Sequence, residues 1–282
     1  MSQKQHPHQY DVELHDQIFK LCHKMELPLH DNHFGSKVYT NYQRVALIVL
    51  FMRSRKALRD FASELVESRW PKWLGLKDLP NFSTISRWIK KWDVPWVRNF
   101  LFATAPQKQP SLMAVDATGF DSWQRSRHYE RRIGAAPMPY AKADILVDVE
   151  TRLIHDFTLR MKPRHDVLGA KTMFLRISIK DALILADKGY DSEPLHEIAL
   201  ETGNLMYAPV RKSPRTTPKG MNRRRCAEGN EAYSQRNIIE AINFSLKSRF
   251  KALRCKLHFM KKREFGSQLI TYNSEKLSQG AR

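Results

Sequence analysis

The sequence predicts an α/β domain with a mixed sheet, preceded by an all-α domain. Apolar residues recur at three- and four-residue spacing through residues 11–105, which is typical of amphipathic helices. From Pro110 the pattern changes to short apolar runs of strand length that alternate with helical segments, as in α/β sheets. The predicted divisions are a disordered leader at 1–10, a helical domain at 11–105, an α/β domain at 110–265 and a C-terminal tail at 266–282.

The helical domain is predicted from three apolar patterns. Val45–Met52 is one strongly apolar helix that is too short to span a bilayer, and Leu58–Val66 is a second helix. A third helix at 83–92 has Ser83 as its N-cap candidate and an apolar stripe of Ile, Trp, Ile and Trp. This region resembles a helix-turn-helix, although an ordinary amphipathic helix accounts for it equally well. The candidate DNA-binding cations outside the stripe are Arg87, Lys90 and Lys91.

The α/β domain is predicted from strand-length apolar runs, two of which end in an acid. A continuous apolar run is typical of a buried central strand, and Ala182–Asp187 has this composition. A helix is expected at Glu193–Glu201 and a helical turn or two at Thr172–Ile177. The predicted strands are Leu112–Asp116, Ala143–Val149, Leu153–Leu159, Ala182–Asp187 and Leu205–Val210.

The composition indicates a polyanionic partner. A net charge of +19 and a pI of about 10.0 favour nucleic acid as that partner. The three cysteines, Cys22, Cys226 and Cys255, are far apart and odd in number, which favours a reducing compartment over a disulfide framework. A zinc site at Cys255 and His258 lacks further ligands at suitable spacing. The polar N-terminus has no signal-peptide core, so we expect no membrane association.

Three acids have a context that suggests chemistry. Asp116 and Asp187 end predicted strands, and Glu240 lies between two basic segments. Carboxylates at ~4 Å repel one another by about 4 kcal/mol per pair at an effective dielectric constant of 20, so such a cluster needs a cation. Carboxylate oxygens favour hard cations such as Mg²⁺ or Mn²⁺. Two such ions side by side catalyse phosphoryl transfer. The other acids nearby are expected to be caps, turn residues or surface residues; they are Asp121, Asp144, Asp148, Asp166 and Asp191.

The segment from Tyr233 to Lys247 is predicted to be one helix that presents an acid between cations. At 3.6 residues per turn, four polar residues share one face, namely Tyr233, Arg236, Glu240 and Lys247. The apolar residues expected to dock the helix on a core are Ile238, Ile239, Ile242, Phe244 and Leu246. A surface helix with an ordinary i, i+4 ion pair between Arg236 and Glu240 is the alternative.

Two basic segments flank this helix and are predicted to contact DNA phosphates. The first runs from Arg211 to Arg225, and the second from Arg249 to Arg263. The residues selected as candidate contacts are Arg223, Arg224, Arg225 and Arg254.

These motifs resemble those of the DDE insertion-sequence transposases, in particular the groups named after insertion sequences four and five. The family signature Y-x-x-R-x-x-x-E-x-x-x-x-x-x-K is matched at every spacing by Tyr233, Arg236, Glu240 and Lys247. The family's A-D-x-G-Y-D segment is matched from Ala186 to Asp191, and its first acid by Asp116-Ala117-Thr118. The resemblance covers about Leu112 to Phe250 well and the N-terminal helices more loosely.

The resemblance implies an RNase H-like catalytic domain with Asp116, Asp187 and Glu240 as catalytic and metal-binding acids. The DNA-binding residues expected beside them are Tyr233, Arg236 and Lys247, which would position the terminal phosphate or the flanking bases. The resemblance further implies cleavage at terminal inverted repeats and strand transfer into target DNA, with two Mg²⁺ or Mn²⁺ ions and no small-molecule cofactor. The separation of 53 residues from Asp187 to Glu240 leaves no room for the large β-rich insertion of some members, which favours the insertion-sequence-five side. Pairing of two ends implies a homodimer on double-stranded DNA, in a prokaryotic cytoplasm at the nucleoid.

Two other functions fit parts of the sequence. A non-catalytic DNA-binding regulator, or a domesticated transposase, would use the helical region and the charge, but it has no need for three converging acids. A structure-specific nuclease would use the same metals without joining strands. A strand-transfer assay separates this nuclease from a transposase.

Overall fold

The structure is a computed structural model that describes residues 7–31, 37–106, 108–121, 140–162, 165–211 and 218–280. The helices are α1 Pro7–Lys24, α2 Asn41–Ser54, α3 Leu58–Glu67, α4 Trp70–Trp73, α5 Phe82–Lys91, α6 Val94–Ala103, α7 Asp166–Phe174, α8 Glu193–Glu201, α9 Met221–Cys226, α10 Asn237–Phe250 and α11 His258–Gly280. The strands are β1 Leu112–Asp121, β2 Tyr140–Asp148, β3 Ile154–Arg160, β4 Leu183–Leu185 and β5 Leu205–Tyr207. Short 3₁₀ turns occupy Lys188–Tyr190 and Glu231–Arg236.

The chain divides into a helical unit and an α/β unit. The helical unit is Met1–Thr104 together with Leu257–Arg282, and the α/β unit is Ala105–Lys256. The predicted leader at 1–10 lies partly outside the described residues, and helix α1 already begins at Pro7. Within the described residues, no helix is long and apolar enough to cross a membrane.

The predicted C-terminal tail is a buried helix of the helical unit. Helix α11 packs against α1, α2 and α6, with Phe265 and Leu269 fully buried. Its polar residues are buried as well, because Asn273 donates to Thr104 Oγ1 at 2.5 Å and Glu275 pairs with Arg53 of α2. This division differs from the prediction, which ended the α/β domain at 265 and began a tail at 266. The prediction failed because polar side chains that are buried with partners inside the unit are indistinguishable in sequence from solvent-exposed ones.

Helix α5 has the predicted apolar stripe but a different start. Ile85, Trp88 and Ile89 are buried. The N-cap is Asn81, whose side-chain oxygen accepts from the Ser83 backbone N–H at 3.0 Å, so Ser83 is the second residue of the helix and not its cap. The helix packs on α2 and α3 and leaves its basic side exposed.

The α/β unit contains one sheet, whose strands in the described residues have the order β3-β2-β1-β4-β5. Strands β1, β2 and β3 pair antiparallel in sequence order, and β4 and β5 pair parallel with β1. Strand β3 is buried over almost its whole length. This order and these directions are those of an RNase H-like domain, so the predicted fold class is confirmed.

Helices cover β1 from both sides. Val115 of β1 belongs to an apolar cluster that includes Met173 of α7 and Leu195 of α8. Successive side chains of a strand point to opposite faces, so Asp116 points away from this cluster. Helix α10 packs against β1 and buries apolar residues of its own, which are Ile239, Ile242 and Leu246.

Candidate active site

The register of β1 and β4 brings the first two predicted acids together. The last paired residues of these parallel strands are Ala114 and Leu185, and each acid lies two residues beyond. Neighbouring strands lie about 4.8 Å apart, so Asp116 and Asp187 lie side by side at the carboxyl end of β4. Asp116 does not end its strand as predicted, because β1 continues to Asp121 by pairing with β2. It lies instead where the pairing of β1 with β4 ends.

Asp187 is fixed by the turn that follows β4. It is the N-cap of the 3₁₀ turn Lys188–Tyr190, and its Oδ1 accepts from the Gly189 backbone N–H at 2.7 Å. A Cβ on Gly189 would lie 2.7 Å from the same Oδ1, closer than real contacts allow. The glycine of the A-D-K-G-Y-D segment therefore lets the backbone approach the carboxylate. Asp187 also lines an open cavity of about 670 Å³, together with Lys188, Gly189, Val210 and Arg211.

Glu240 lies in the first turn of α10 and contacts Arg236. The Arg236 Nη2 donates to Glu240 Oε1 at 2.6 Å, and its Nη1 lies 4.0 Å from Asp116 Oδ1. The Glu240 side chain remains 59% exposed, whereas that of Asp116 is 19% exposed. One guanidinium thus lies between an exposed acid and a half-buried acid. The i, i+4 pair considered as an alternative is present, but it is part of this larger charge cluster.

The three acids act on one another electrostatically. The pKa of Asp116 is raised to about 6, mainly by burial and to a smaller extent by the neighbouring carboxylates of Asp187 and Glu240. The backbone N–H of Ala117 and the charge of Arg236 oppose this increase. A carboxyl group whose pKa is raised in a crevice is typical of a functional site.

The donor set fits a hard divalent cation. Asp116, Asp187 and Glu240 offer carboxylate oxygens, which are the ligands that Mg²⁺ and Mn²⁺ prefer. Asn243 adds a buried amide oxygen that has no hydrogen-bond partner in the described part of the chain. Among the described residues, no three acidic, histidine or cysteine side chains converge closely enough to hold an ion as they stand. Binding therefore requires side-chain rotation, for which the exposed Glu240 is free.

The predicted single helix from Tyr233 to Lys247 is wrong in its first part. Tyr233 and Arg236 lie on the 3₁₀ turn Glu231–Arg236, and only Glu240 and Lys247 lie on α10. The Tyr233 ring packs edge-on against Tyr207, with centroids 5.3 Å apart. Tyr233 is thus half-buried beside β5, where it supports the turn that carries Arg236.

Phe244 was expected in the core, but it is 75% exposed. It lies one turn after Glu240 and about one turn before Lys247, which is exposed as well. Among the described residues, Lys247 has no acidic partner within ion-pair distance. The exposed face of α10 therefore presents an acid, an aromatic ring and a cation in succession.

Arg223, predicted as a DNA contact, is instead paired with a buried acid. Its Nε and Nη2 donate to the two oxygens of Asp191 at 2.5 and 2.7 Å, and the Asp191 side chain is fully buried. Burial raises the pKa of Asp191, but the hydrogen bonds from Arg223 and the Arg211 backbone outweigh it and hold the pKa below its ordinary value. Asp191 was predicted to cap α8, but the N-cap is Ser192.

The other predicted cations differ in how far they are available to DNA. Arg224 and Arg225 are exposed on α9, and Arg254 is half-buried. On α5, Arg87 and Lys90 are exposed, and Lys91 pairs with Asp31 at 2.6 Å while staying half exposed. Lys212 and Arg215, which belong to the first basic segment, lie outside the described residues.

The remaining acids have structural partners. Asp144 is fully buried and is held by Arg160 and by the hydroxyl of Thr158 at 2.6 Å. Asp148 accepts from backbone N–H groups in the turn between β2 and β3, as predicted for a turn residue. Asp166 pairs with Lys142. A buried ion pair at Asp144 was not anticipated, because Arg160 lies 16 residues further along the chain on the next strand.

One polar residue of the site, Asn243, was missed by the sequence reasoning, and Tyr190 of the A-D-x-G-Y-D segment was given no role. Asn243 donates from Nδ2 to Asp116 Oδ2 at 3.0 Å. Tyr190 is fully buried, its hydroxyl has no hydrogen-bond partner among the described residues, and burial followed by the charges of Asp144 and Asp116 raises its pKa. A signal for Asn243 was available, since an asparagine one turn after Glu240 interrupts the buried stripe of α10.

Comparison with family models matched one family. The family model described as "Transposase DDE domain" matches residues 107–273, more than half of the chain. Comparison with curated proteins returned no match. Among solved structures, the chain is similar to the one titled "Cryo-EM structure of piggyBac transposase synaptic complex with hairpin DNA (SNHP)", at 15% identity and a TM-score of 0.40. That match covers 95% of this chain and 74% of the other.

Proposed function

Because the chain belongs to the family of DDE transposases, we propose that it cuts DNA at the terminal inverted repeats of an insertion sequence and joins the freed ends to target DNA. Family membership makes the chain a metal-dependent transposase that acts on DNA. The roles of the repeats, the ions and the residues go beyond family membership. The observation that supports them most is the position of the Arg236 guanidinium, 2.6 Å from Glu240 and 4.0 Å from Asp116, beside the point where the register of β1 and β4 brings Asp116 and Asp187 together.

We assign the metal-holding role to Asp116, Asp187 and Glu240. Two bound Mg²⁺ or Mn²⁺ ions would supply activation of a water or a 3′-hydroxyl and stabilisation of the leaving oxygen. Asp187 offers one oxygen to this role, since Gly189 already uses Oδ1. Glu240 is exposed and bound through a single oxygen, so its carboxylate can turn towards the other two acids.

The cations around the crevice would hold the DNA backbone. Lys247 lies on the same exposed face as Glu240 and is without an acidic partner among the described residues, which suits a phosphate contact. Arg236 would pass from Glu240 to a phosphate when the acids bind ions, because a bidentate guanidinium fits phosphate. Tyr233 orients the turn from which Arg236 projects. Arg224, Arg225 and Arg254 extend the basic surface, and Arg87, Lys90 and Lys91 offer a second one on α5.

Recognition of two ends would require at least a homodimer on double-stranded DNA. The separation of 53 residues from Asp187 to Glu240 supports the insertion-sequence-five side of the family, which would make this a prokaryotic, nucleoid-associated protein. It fits the observed path of the chain, in which only α8, β5, α9 and two 3₁₀ turns lie between the two acids in the described residues.

The test is cleavage of a labelled duplex that carries the element's own terminal repeat. With Mg²⁺ we expect cuts at the repeat boundary, and we expect none with EDTA or with Glu240→Gln. Binding of the duplex should persist in the variant, because Glu240 is not a phosphate contact. Tight binding without any cut, under Mg²⁺ or Mn²⁺, would contradict the proposal and favour a regulatory protein. Cuts without joined product would favour a nuclease.

A further inference from the structure

Asn243 is a buried polar residue in a position that packing alone would fill with an apolar one. It lies on α10 between the buried residues Ile242 and Leu246, and it is 6% exposed. A buried amide needs partners for both of its ends, and a buried acceptor without a partner destabilises the fold. Asn243 meets only one of these needs in the described residues. Its retention against β1 therefore requires a reason other than stability.

The hydrogen bond that Asn243 makes is to an acid of the site. The Nδ2 of Asn243 donates to Asp116 Oδ2 at 3.0 Å, which leaves Oδ1 of Asp116 facing Arg236. The assignment of nitrogen and oxygen in this amide follows from the bond itself, because a carboxylate accepts and does not donate. The donor is neutral, so it orients Asp116 without cancelling the negative charge that a cation needs. Arginine or lysine at position 243 would cancel it.

The acceptor without a partner belongs to the same amide group. The amide oxygen of Asn243 is within the carboxamide that touches Asp116, has no partner in the described residues and is shielded from solvent. Amide oxygens are common neutral ligands of hard divalent cations and of the waters they carry. The buried oxygen and the bonded nitrogen together distinguish Asn243 from a residue that only packs.

We propose that Asn243 is a fourth member of the divalent-cation site, in which its nitrogen orients Asp116 and its oxygen serves as a neutral donor to the ion or its bound water. This inference rests on the proposed function of Asp116 as a metal-holding acid. It adds a residue that none of the sequence motifs specifies, since Asn243 occupies an unspecified position between Glu240 and Lys247. The role is one of binding and positioning, and it requires no proton transfer by Asn243.

The test measures Mn²⁺ affinity of the full chain without DNA, by electron paramagnetic resonance of the free ion. Four variants are compared with the parent protein: Asn243→Leu, Asn243→Asp, Asn237→Leu and Asp116→Asn. We expect Asn243→Leu to weaken Mn²⁺ binding about ten-fold, which is typical when a residue that supports a metal ligand is removed. Asn243→Asp should keep or strengthen binding, since it restores an oxygen. Asn237→Leu makes the same change at an exposed position of α10 and should bind as the parent does.

The outcomes separate the two proposals. If Asp116→Asn weakens Mn²⁺ binding and Asn243→Leu does not, the metal site stands and the role of Asn243 is refuted. If the parent binds no Mn²⁺, or Asp116→Asn binds as the parent does, both fall. Thermal unfolding of each variant accompanies the titration, because a lost fold also loses metal. Should Asn243→Leu lower Tm by more than about 5 °C, Asn243→Ala replaces it under the same criterion.

Discussion

Replacing Asp116 with asparagine should stabilise the protein at neutral pH. The carboxyl group is half-buried beside two other acids, and its pKa is raised from an ordinary value of 3.8 to about 6. A carboxyl with a raised pKa in the folded state favours unfolding whenever it is ionised, because the unfolded chain holds the charge at lower cost. Asparagine removes this charge and keeps nearly the same shape. We therefore expect the variant to gain stability and lose catalysis.

The size and the pH dependence of this gain follow from the two pKa values. Their difference, at 1.36 kcal/mol per pH unit, corresponds to roughly 3 kcal/mol for pH values above both. The unfavourable contribution of Asp116 is absent well below pH 3.8, grows as the pH rises towards 6 and is constant beyond. The gain of Asp116→Asn should therefore be about 3 kcal/mol at pH 7.5 and only about 1 kcal/mol at pH 4.5.

Urea unfolding followed by far-UV circular dichroism measures this difference at both pH values. The slope of the unfolding free energy against urea should be equal in the two proteins, so that the midpoint alone reports stability. The control is Asp78→Asn, which makes the same change at an exposed acid of a loop in the helical unit. Equal stability of Asp116→Asn and the parent at pH 7.5, or a gain that is the same at both pH values, would refute the reasoning.

Adding Mg²⁺ or Mn²⁺ should remove or reverse the difference in stability between the parent protein and Asp116→Asn. An ion that binds only the folded state stabilises it by about 2.7 kcal/mol at a hundred-fold excess over its Kd. The parent gains this energy and Asp116→Asn does not, because the variant lacks a ligand. At saturating ion the parent should therefore approach the stability of the variant or exceed it. A parent whose urea midpoint ignores the ion would contradict this expectation.

Three further predictions concern the surroundings of the acids. Lys247→Ala should weaken DNA binding and lower the slope of log affinity against log salt by about 1, as for one lost phosphate contact, and an unchanged slope in a salt titration would remove Lys247 from the interface. Arg223→Ala should destabilise the fold by about 3–5 kcal/mol in urea unfolding, since it leaves the buried Asp191 carboxylate unpaired. Arg224→Ala should leave the unfolding free energy within about 0.5 kcal/mol and weaken DNA binding instead. Equal effects of the two variants on stability would contradict the difference in their contacts. Gly169→Ala should lower Tm, because the added Cβ would lie 2.2 Å from Asp144 Oδ2, and an unchanged Tm would mean that Asp144 can move without cost.

The pattern of apolar runs predicted the elements that bury a continuous face. Helix α8 has the predicted bounds, Glu193–Glu201, and the strands β2 and β3 differ from the prediction by one to three residues. Each of these segments could be predicted from its own sequence, because the periodicity of its apolar residues identifies the buried ones. The length of β1 was not predictable in the same way. It continues past Asp116 because β2 supplies partners for five more residues, from Ala117 to Asp121.

The errors arose where tertiary contacts decide the local structure. Helix α11 contains buried polar residues whose partners lie far away in the sequence, such as Asn273 with Thr104, so its composition resembled a tail. The turn before α10 is a 3₁₀ turn fixed by the packing of Tyr233 on Tyr207. Helical spacing had placed Tyr233 and Arg236 on the same rod as Glu240. The motif spacing itself was matched, but spacing defines a geometry only when the secondary structure is known.

The two arginines beside acids illustrate how a site differs from a scaffold. Arg223 grips both oxygens of a fully buried carboxylate, and breaking that pair would strand a charge in the interior. Arg236 holds Glu240 through one oxygen that is open to solvent, and it lies 4.0 Å from Asp116. Solvent can replace what the exposed Glu240 carboxylate loses when Arg236 leaves, so breaking this pair costs the acid little. The two pairs also differ in the sequence, because Arg236 and Glu240 lie four residues apart and Arg223 and Asp191 lie 32 residues apart. The burial of the acid distinguishes the fixed pair from the exchangeable one. An exchangeable pair is what a transposase needs where ions and phosphates must enter.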